Sequence, residues 1–142
     1  MSMVAFITGG SRGIGACAVR EFSKRGYMVA ITYLRSEDKA LALASECGAL
    51  PIKADASISQ EMNDAICRAI KEFGKIDILI NNAGMSEFSL FTDITDEMWQ
   101  KMIDTNLSSA FYASRAVLPS MISRKNGCII NISSMWGEVG AS

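Results

Sequence analysis

The chain has 142 residues, of which 49% are hydrophobic and 20% charged, with a formal net charge of −1. That length makes one domain with apolar material for a sizeable core, and near-neutrality removes the electrostatic reason to expect a nucleic-acid partner or an anionic membrane. Cysteines at 17, 47, 67 and 128 form no C-x-x-C pair and there is no histidine, which argues against structural zinc and against a disulfide framework. Three of the four sit among apolar residues and are expected as small buried side chains. The first residues enter a strand directly, without a basic region and a long apolar run, so no signal peptide or membrane span is expected and a reducing cytoplasm is the expected setting.

In chain order, Met3 to Ile7 is a short apolar run of strand formers. After Gly9-Gly10-Ser11-Arg12-Gly13-Ile14-Gly15 the apolar residues Ile14, Ala18 and Phe22 recur at helical spacing. Residues 27–33 make a second strand after Gly26, a helix C-cap. Ser36 caps the next helix, with Glu37 and Asp38 in its first turn, and the helix runs to about Cys47 before Gly48. A third strand surrounds Ile52. Ser59 opens a helix whose Met62, Ile66, Ala69, Ile70 and Phe73 share one face, ending near Gly74.

Ile76 to Ile80 is a fourth strand that ends in Asn81-Asn82-Ala83-Gly84. Thr95, followed by Asp96 and Glu97, caps a long helix reaching about Ser123. Its Trp99, Ile103, Leu107, Phe111, Val117, Leu118, Met121 and Ile122 cover more than one stripe, which predicts packing against the sheet and against a second body such as another subunit. Pro119 should distort its last turns. Cys128 to Ile132 is a fifth strand, closed by Ser133-Ser134. Strands alternating with helices predict a doubly wound parallel α/β sheet of the Rossmann kind, with ligands beyond the carboxyl ends of the strands. Thr8-Gly9, Arg35, Asp55, Asn82 and Ser134 all fall at or just past such ends, which points to one shared crevice.

The glycine turn between the first strand and helix is a phosphate cradle: glycine lets the main chain approach a ligand, while the free N–H groups and dipole of the first helical turn attract an anion. A P-loop is excluded, because Gly15 is followed by Ala16 and Cys17 rather than by Lys and Ser or Thr. The register Gly13, Gly15, Ala18 fits the dinucleotide fingerprint but starts late relative to the strand. Arg12 lies in the turn and Arg35 just beyond the second strand, where the adenosine ribose belongs. A carboxylate there suits an unphosphorylated ribose and an arginine suits a 2′-phosphate, so NADP(H) is favoured over NAD(H), with Glu37 and Asp38 read as first-turn helix residues. Asn106 interrupts the apolar side of the long helix. An asparagine of poor helix propensity, taken as buried, needs partners and hence a task.

The spacing Thr8-Gly9-x-x-x-Gly13-x-Gly15, together with Asn81-Asn82-Ala83-Gly84, resembles the short-chain dehydrogenase/reductase family across the whole chain, which matches the first half or so of a family member. The resemblance implies that residues 1–142 are an incomplete NAD(P)-binding domain of a carbonyl reductase, with a small-molecule or carrier-bound carbonyl as substrate. It implies cofactor contacts from Gly9, Ser11, Arg12, Gly13, Ile14 and Gly15, from Arg35, from Asp55 and Ala56 at the adenine, and from Asn82, Ala83 and Gly84. Asn82 would also hydrogen-bond between strands.

For catalysis it implies Asn106, holding a water in the proton path, and Ser134, hydrogen-bonding the carbonyl, with Ser133 its rival by position. The family's Tyr-x-x-x-Lys should follow Ser134 by about a dozen residues. Tyr27, Tyr33 and Tyr112 are followed four residues later by Ile31, Glu37 and Ala116, so none supplies it. The 142 residues are therefore expected to be a poor catalyst or none. A homo-oligomer through the helix 95–123 is expected, with no nucleic-acid or membrane partner. Within the family the chain is similar to the 3-oxoacyl-[acyl-carrier-protein] reductases, and its tail from Ser133 to Ser142 is closer to reductases of 5-aminopentanone-modified elongation factor P. Two other readings stay open: a non-catalytic nucleotide- or partner-binding homologue, and a flavin or adenosyl-methionine protein of the same fold class.

Overall fold

The computed structural model describes residues 2–137; Glu138 to Ser142, the end of the tail singled out above, lie outside the described residues. Five strands, β1 (Val4–Ile7), β2 (Met28–Tyr33), β3 (Leu50–Lys53), β4 (Ile78–Asn81) and β5 (Cys128–Asn131), form one sheet in the order β3-β2-β1-β4-β5. Every pairing is parallel. The chain thus winds outward from β1 in one direction and then from β4 in the other, leaving a switch point between them.

Both faces of the sheet are apolar, as a parallel sheet covered on two sides requires. Val4 and Phe6 of β1 point into a core with Met62, Ile66 and Ala69 of α3 (Ser59–Phe73) and with Ala113, Val117 and Met121 of α5 (Ser109–Ser123). Ile7, Val29 and Ile31 point the other way, against Ala16 and Val19 of α1 (Gly13–Lys24) and Ala40 and Leu43 of α2 (Glu37–Cys47). Each fully buried Ile, Leu or Phe contributes about 2 kcal/mol, so β1, buried from end to end, is the anchor of the domain. Gly48 and Gly74 end α2 and α3 with left-handed φ of 65° and 82°.

Several expectations are corrected. The long helix is three pieces in one continuous run: α4 (Asp96–Ile103), a wide π turn over Asp104–Ser108, and α5, which continues past Pro119 to Ser123. The Ser109 N–H reaches back five residues to the Asp104 carbonyl, and the Ser109 hydroxyl donates to the Thr105 carbonyl at 2.7 Å, supplying a partner where the helical ladder shifts. Thr95 caps α4 as expected, accepting from the Met98 N–H, whereas Ser36 stands at the N-cap of α2 without a side-chain capping bond. The fourth strand begins at Ile78, although the Asp77 backbone just before it already bonds to Val4 and Cys128. Cys17, Cys67 and Cys128 are exposed and Cys47 half-buried, since their apolar sequence neighbours face the core from helices and an edge strand that turn the thiols outward. Asn106 is exposed rather than buried.

Asp77 is a buried charge that the sequence reading missed. Its Oδ2 accepts from the Val4 N–H at 2.9 Å and lies 2.9 Å from Lys75 Nζ, while Oδ1 lies 2.9 Å from Arg124 Nη1. One carboxylate thereby ties the starts of β1 and β4 to the end of α5. Burial raises its pKa, but the hydrogen bonds from Lys75, Val4 and Arg124 outweigh this and hold it below the ordinary aspartate value.

Candidate functional site

The turn after β1 is held from both neighbouring strands. On the β2 side the Gly9 N–H donates to Thr32 Oγ1 at 3.1 Å and the Gly10 N–H to the Thr32 carbonyl at 3.0 Å. On the β4 side Thr8 Oγ1 accepts from the N–H groups of Asn82 and Ala83, at 3.0 and 2.9 Å. Asn82 Nδ2 returns the tie by donating to the carbonyls of Thr8 and Gly9, at 3.0 and 3.1 Å. The turn is therefore preorganised across the switch point by part-buried bonds, each worth about 1 kcal/mol net.

Gly9 and Gly13 have φ of 64° and 55°, the left-handed region that disfavours side chains. A Cβ on Gly13 would meet nothing within 4 Å, so its bare backbone faces open space at the start of α1. Gly15 is different. A Cβ there would lie 2.5 Å from the Gly9 carbonyl oxygen and 2.6 Å from Asn82 Nδ2, so this glycine allows the turn to fold onto its own helix and sits behind the cleft.

A cleft of about 540 Å³ opens above the strand tips. Its lining brings together Gly9, Ser11, Arg12, Gly13, Ile14, Arg35, Asp55, Ala56, Asn82, Ala83 and Gly84 from four separate strand ends. Gly15, Asn106 and Ser134 are not among the lining residues. Ser134 is exposed beyond β5, with its carbonyl accepting from the Gly137 N–H at 3.0 Å. Asn106, inside the wide turn, grips the backbone of the cleft residue Met85 in both directions: Oδ1 accepts from the Met85 N–H at 2.9 Å and Nδ2 donates to the Met85 carbonyl at 3.0 Å. A Cβ on Gly84 would stand 3.0 Å from that same Oδ1. The asparagine, though exposed, thus fixes the loop leaving β4.

Asp55 Oδ1 accepts from the Ser57 N–H and hydroxyl, at 2.9 and 2.6 Å, shaping the turn into α3 from the cleft wall. Arg12, at the N-cap of α1, and Arg35, just after β2, are exposed and enter no ion pair among the described residues. Glu37 is engaged on both oxygens, by the Tyr33 hydroxyl at 3.3 Å and by Lys53 Nζ at 3.7 Å. Burial, followed by the neighbouring Glu37 charge, raises the Tyr33 pKa. Sequence reasoning missed Thr32, Tyr33, Leu34, Ser36, Ser57, Met85, Lys101 and Thr105 as lining residues. Lys101 and Thr105 lie one turn apart on the run through α4, and only tertiary packing brings them here. Thr8 was legible in the motif but not as the acceptor that closes the turn.

A parallel sheet of order 3-2-1-4-5 with a glycine-turned cleft at its switch point defines a Rossmann-type α/β protein. The family described as short chain dehydrogenase matches residues 3–142, and the chain belongs to that family. It is 35% identical over 145 residues to a 3-oxoacyl-[acyl-carrier-protein] reductase of Staphylococcus epidermidis, covering 99% of this chain and 59% of that protein. It is 40% identical over 140 residues to an acetoacetyl-CoA reductase of Rhizobium meliloti, covering 99% of this chain and 58% of that protein. Among solved structures, a short-chain dehydrogenase/reductase from Serratia marcescens superposes with a TM-score of 0.90 at 37% identity, over 96% of this chain and 57% of the other. Serine dehydrogenase from Escherichia coli gives 0.89 at 34% identity, over 99% and 66%. The chain thus spans about three-fifths of the length of the curated relatives it matches. Among the described residues no helix is long and apolar enough to cross a membrane.

Proposed function

We propose that this chain is the cofactor-binding part of an NADP(H)-dependent carbonyl reductase. The observation that carries the reading is the cleft at the switch point: an open glycine backbone at a helix N-terminus on one side, and at its rim two arginines that have no ion-pair partner among the described residues. The residues fit a dinucleotide. Gly13 and the first N–H groups of α1 would take the diphosphate, Asp55 and Ala56 would flank the adenine, and Arg12 and Arg35 would take a ribose 2′-phosphate. When bound, the nicotinamide supplies a hydride for a carbonyl.

Around it, Asn82, Ala83 and Gly84 present a floor of small side chains and backbone. Asn106 holds the Met85 loop, and Ser134 would meet the carbonyl oxygen. The substrate reading, a small or carrier-bound carbonyl compound, draws on the two reductases named above. The exposed apolar stripe of α4 and α5, including Phe111 at 56% and Ile122 at 68% exposure, would join two copies of the chain.

Fluorescence titration of the full chain with NADPH and NADH, with hydrogen exchange across Thr8–Gly15, tests this reading. NADPH is expected to protect those amides and to bind about tenfold tighter than NADH, as charge-assisted bonds to a phosphate imply. With no Tyr-x-x-x-Lys in the 142 residues, carbonyl-dependent oxidation of NADPH is expected to be absent. Binding without turnover is equally what a non-catalytic homologue would show. Failure of both nucleotides to bind would remove the cofactor reading altogether.

A further inference from the structure

Glu37 begins α2 two residues after Arg35, beside the corner of the cleft assigned above to the adenosine ribose. A carboxylate in that place has two ways to act. Free, it accepts from ribose hydroxyls and repels a 2′-phosphate; withdrawn and neutralised, it does neither.

Here both of its oxygens are engaged. Tyr33 ends β2 and Lys53 ends β3, and the two stand opposite each other in the parallel pairing, so one pair of strand tips fixes both partners. The Tyr33 hydroxyl, on a ring that lines the cleft and is buried in the core, donates to Glu37 Oε1 at 3.3 Å. Lys53 Nζ stands 3.7 Å from Oε2. Glu37 itself is not among the residues lining the cleft, whereas Leu34, Arg35 and Ser36 are.

We propose that Tyr33 and Lys53 are positioning residues for cofactor choice: they hold Glu37 clear of the ribose and offset its charge, leaving that corner to Arg12 and Arg35. The proposal rests on the nicotinamide-dinucleotide reading above and names what sets its preference. Because Lys53 and Glu37 are 63% and 54% exposed, water screens the pair, and each partner is worth a modest effect of about two- to fivefold.

The test is titration of the full-length chain with NADPH and NADH, in the parent, in Tyr33→Phe and Lys53→Met, and in each combined with Glu37→Gln. Tyr33→Phe keeps the ring in its buried place and Lys53→Met changes a surface side chain; far-ultraviolet circular dichroism verifies that each variant is folded. Both single substitutions are expected to narrow the NADPH-to-NADH affinity ratio about two- to fivefold, mainly by weakening NADPH, and to leave it unmoved once Glu37→Gln is present. Glu37→Gln alone should not lower the ratio. An unmoved ratio in the single variants overturns the proposal. So does an equal shift with and without Glu37→Gln, which would mean that Tyr33 and Lys53 touch the nucleotide directly. In both cases a parent that prefers NADPH leaves the nucleotide reading standing; a parent that binds neither nucleotide removes that reading and this inference with it.

Discussion

β1 (Val-Ala-Phe-Ile) and β5 (Cys-Ile-Ile-Asn) are four-residue strands of the same parallel sheet, alike in composition and opposite in fate. β1 lies between β2 and β4 under helices on both faces, and every residue is buried. β5 pairs only with β4 among the described residues, and three of its four residues are exposed. What separates them is neighbours, not side chains. The centre closes its hydrogen bonds within itself, from Thr8 and Gly9 to Thr32, Asn82 and Ala83. The flank carries Trp99, Leu107, Phe111, Leu118, Ile122 and Ile132 outward, all of them exposed. The part of the molecule that would grip a nucleotide is bonded within itself, and the part beside it leaves apolar side chains exposed.

The strongest attempt to break this contrast is Gly15→Val. Its Cβ would press on the backbone oxygen of Gly9, and a centre bonded on both sides has little room to yield. A loss of about 3 kcal/mol is expected in urea denaturation, with nucleotide binding abolished. A loss under about 1 kcal/mol would show that the turn can give way.

Asp77→Asn comes next, at about 2–3 kcal/mol. Breaking a buried pair costs more than breaking an exposed one, but Lys75 and Arg124 keep partial access to water. The same carboxylate predicts a pH dependence. Its folded pKa lies below the unfolded value, so its stabilisation is present above the ordinary aspartate pKa and is lost as pH falls through the folded value. The acid limb of a stability-against-pH profile should flatten in Asp77→Asn.

The smallest effect sharpens the contrast from the other side. Leu118→Glu with Ile122→Glu, on the exposed stripe, should change the stability of the isolated chain by only about 0.5 kcal/mol. It should also shift a sedimentation profile from associated toward monomeric. A parent that is monomeric at every concentration would mean that the stripe is no interface.

The centre was legible because its signals are local. The glycine spacing after an apolar run, the caps at Thr95 and Gly74, and the helical repeat of Met62, Ile66 and Ala69 each act within a few residues. Asn82 and Asp55 could be placed at strand ends by the same means. What escaped depends on contacts far along the chain. Asp77 read as part of a strand because nothing nearby announces Arg124, 47 residues on. Lys101 and Thr105 join the cleft because the helical run that bears them is tied through Asn106 to Met85, in the loop after β4. The three exposed cysteines sit in apolar company, and composition says nothing about which way a residue on a helix or an edge strand points. Asn106 was singled out for a burial it does not have, yet its amide is engaged on both sides with Met85.

The wide turn at Asp104–Ser108 lets the run from Thr95 to Ser123 carry one residue more than unbroken α winding would hold. Each residue of an α-helix advances about 100° around the axis, and a turn closed five residues back rather than four takes up the extra one, so α4 and α5 need not swivel against each other. The surplus falls beside the cleft, for the turn contains both Thr105, which lines it, and Asn106, which holds the Met85 loop. Deleting one residue there is expected to restore ordinary winding and loosen that hold while the sheet beneath stays as it is.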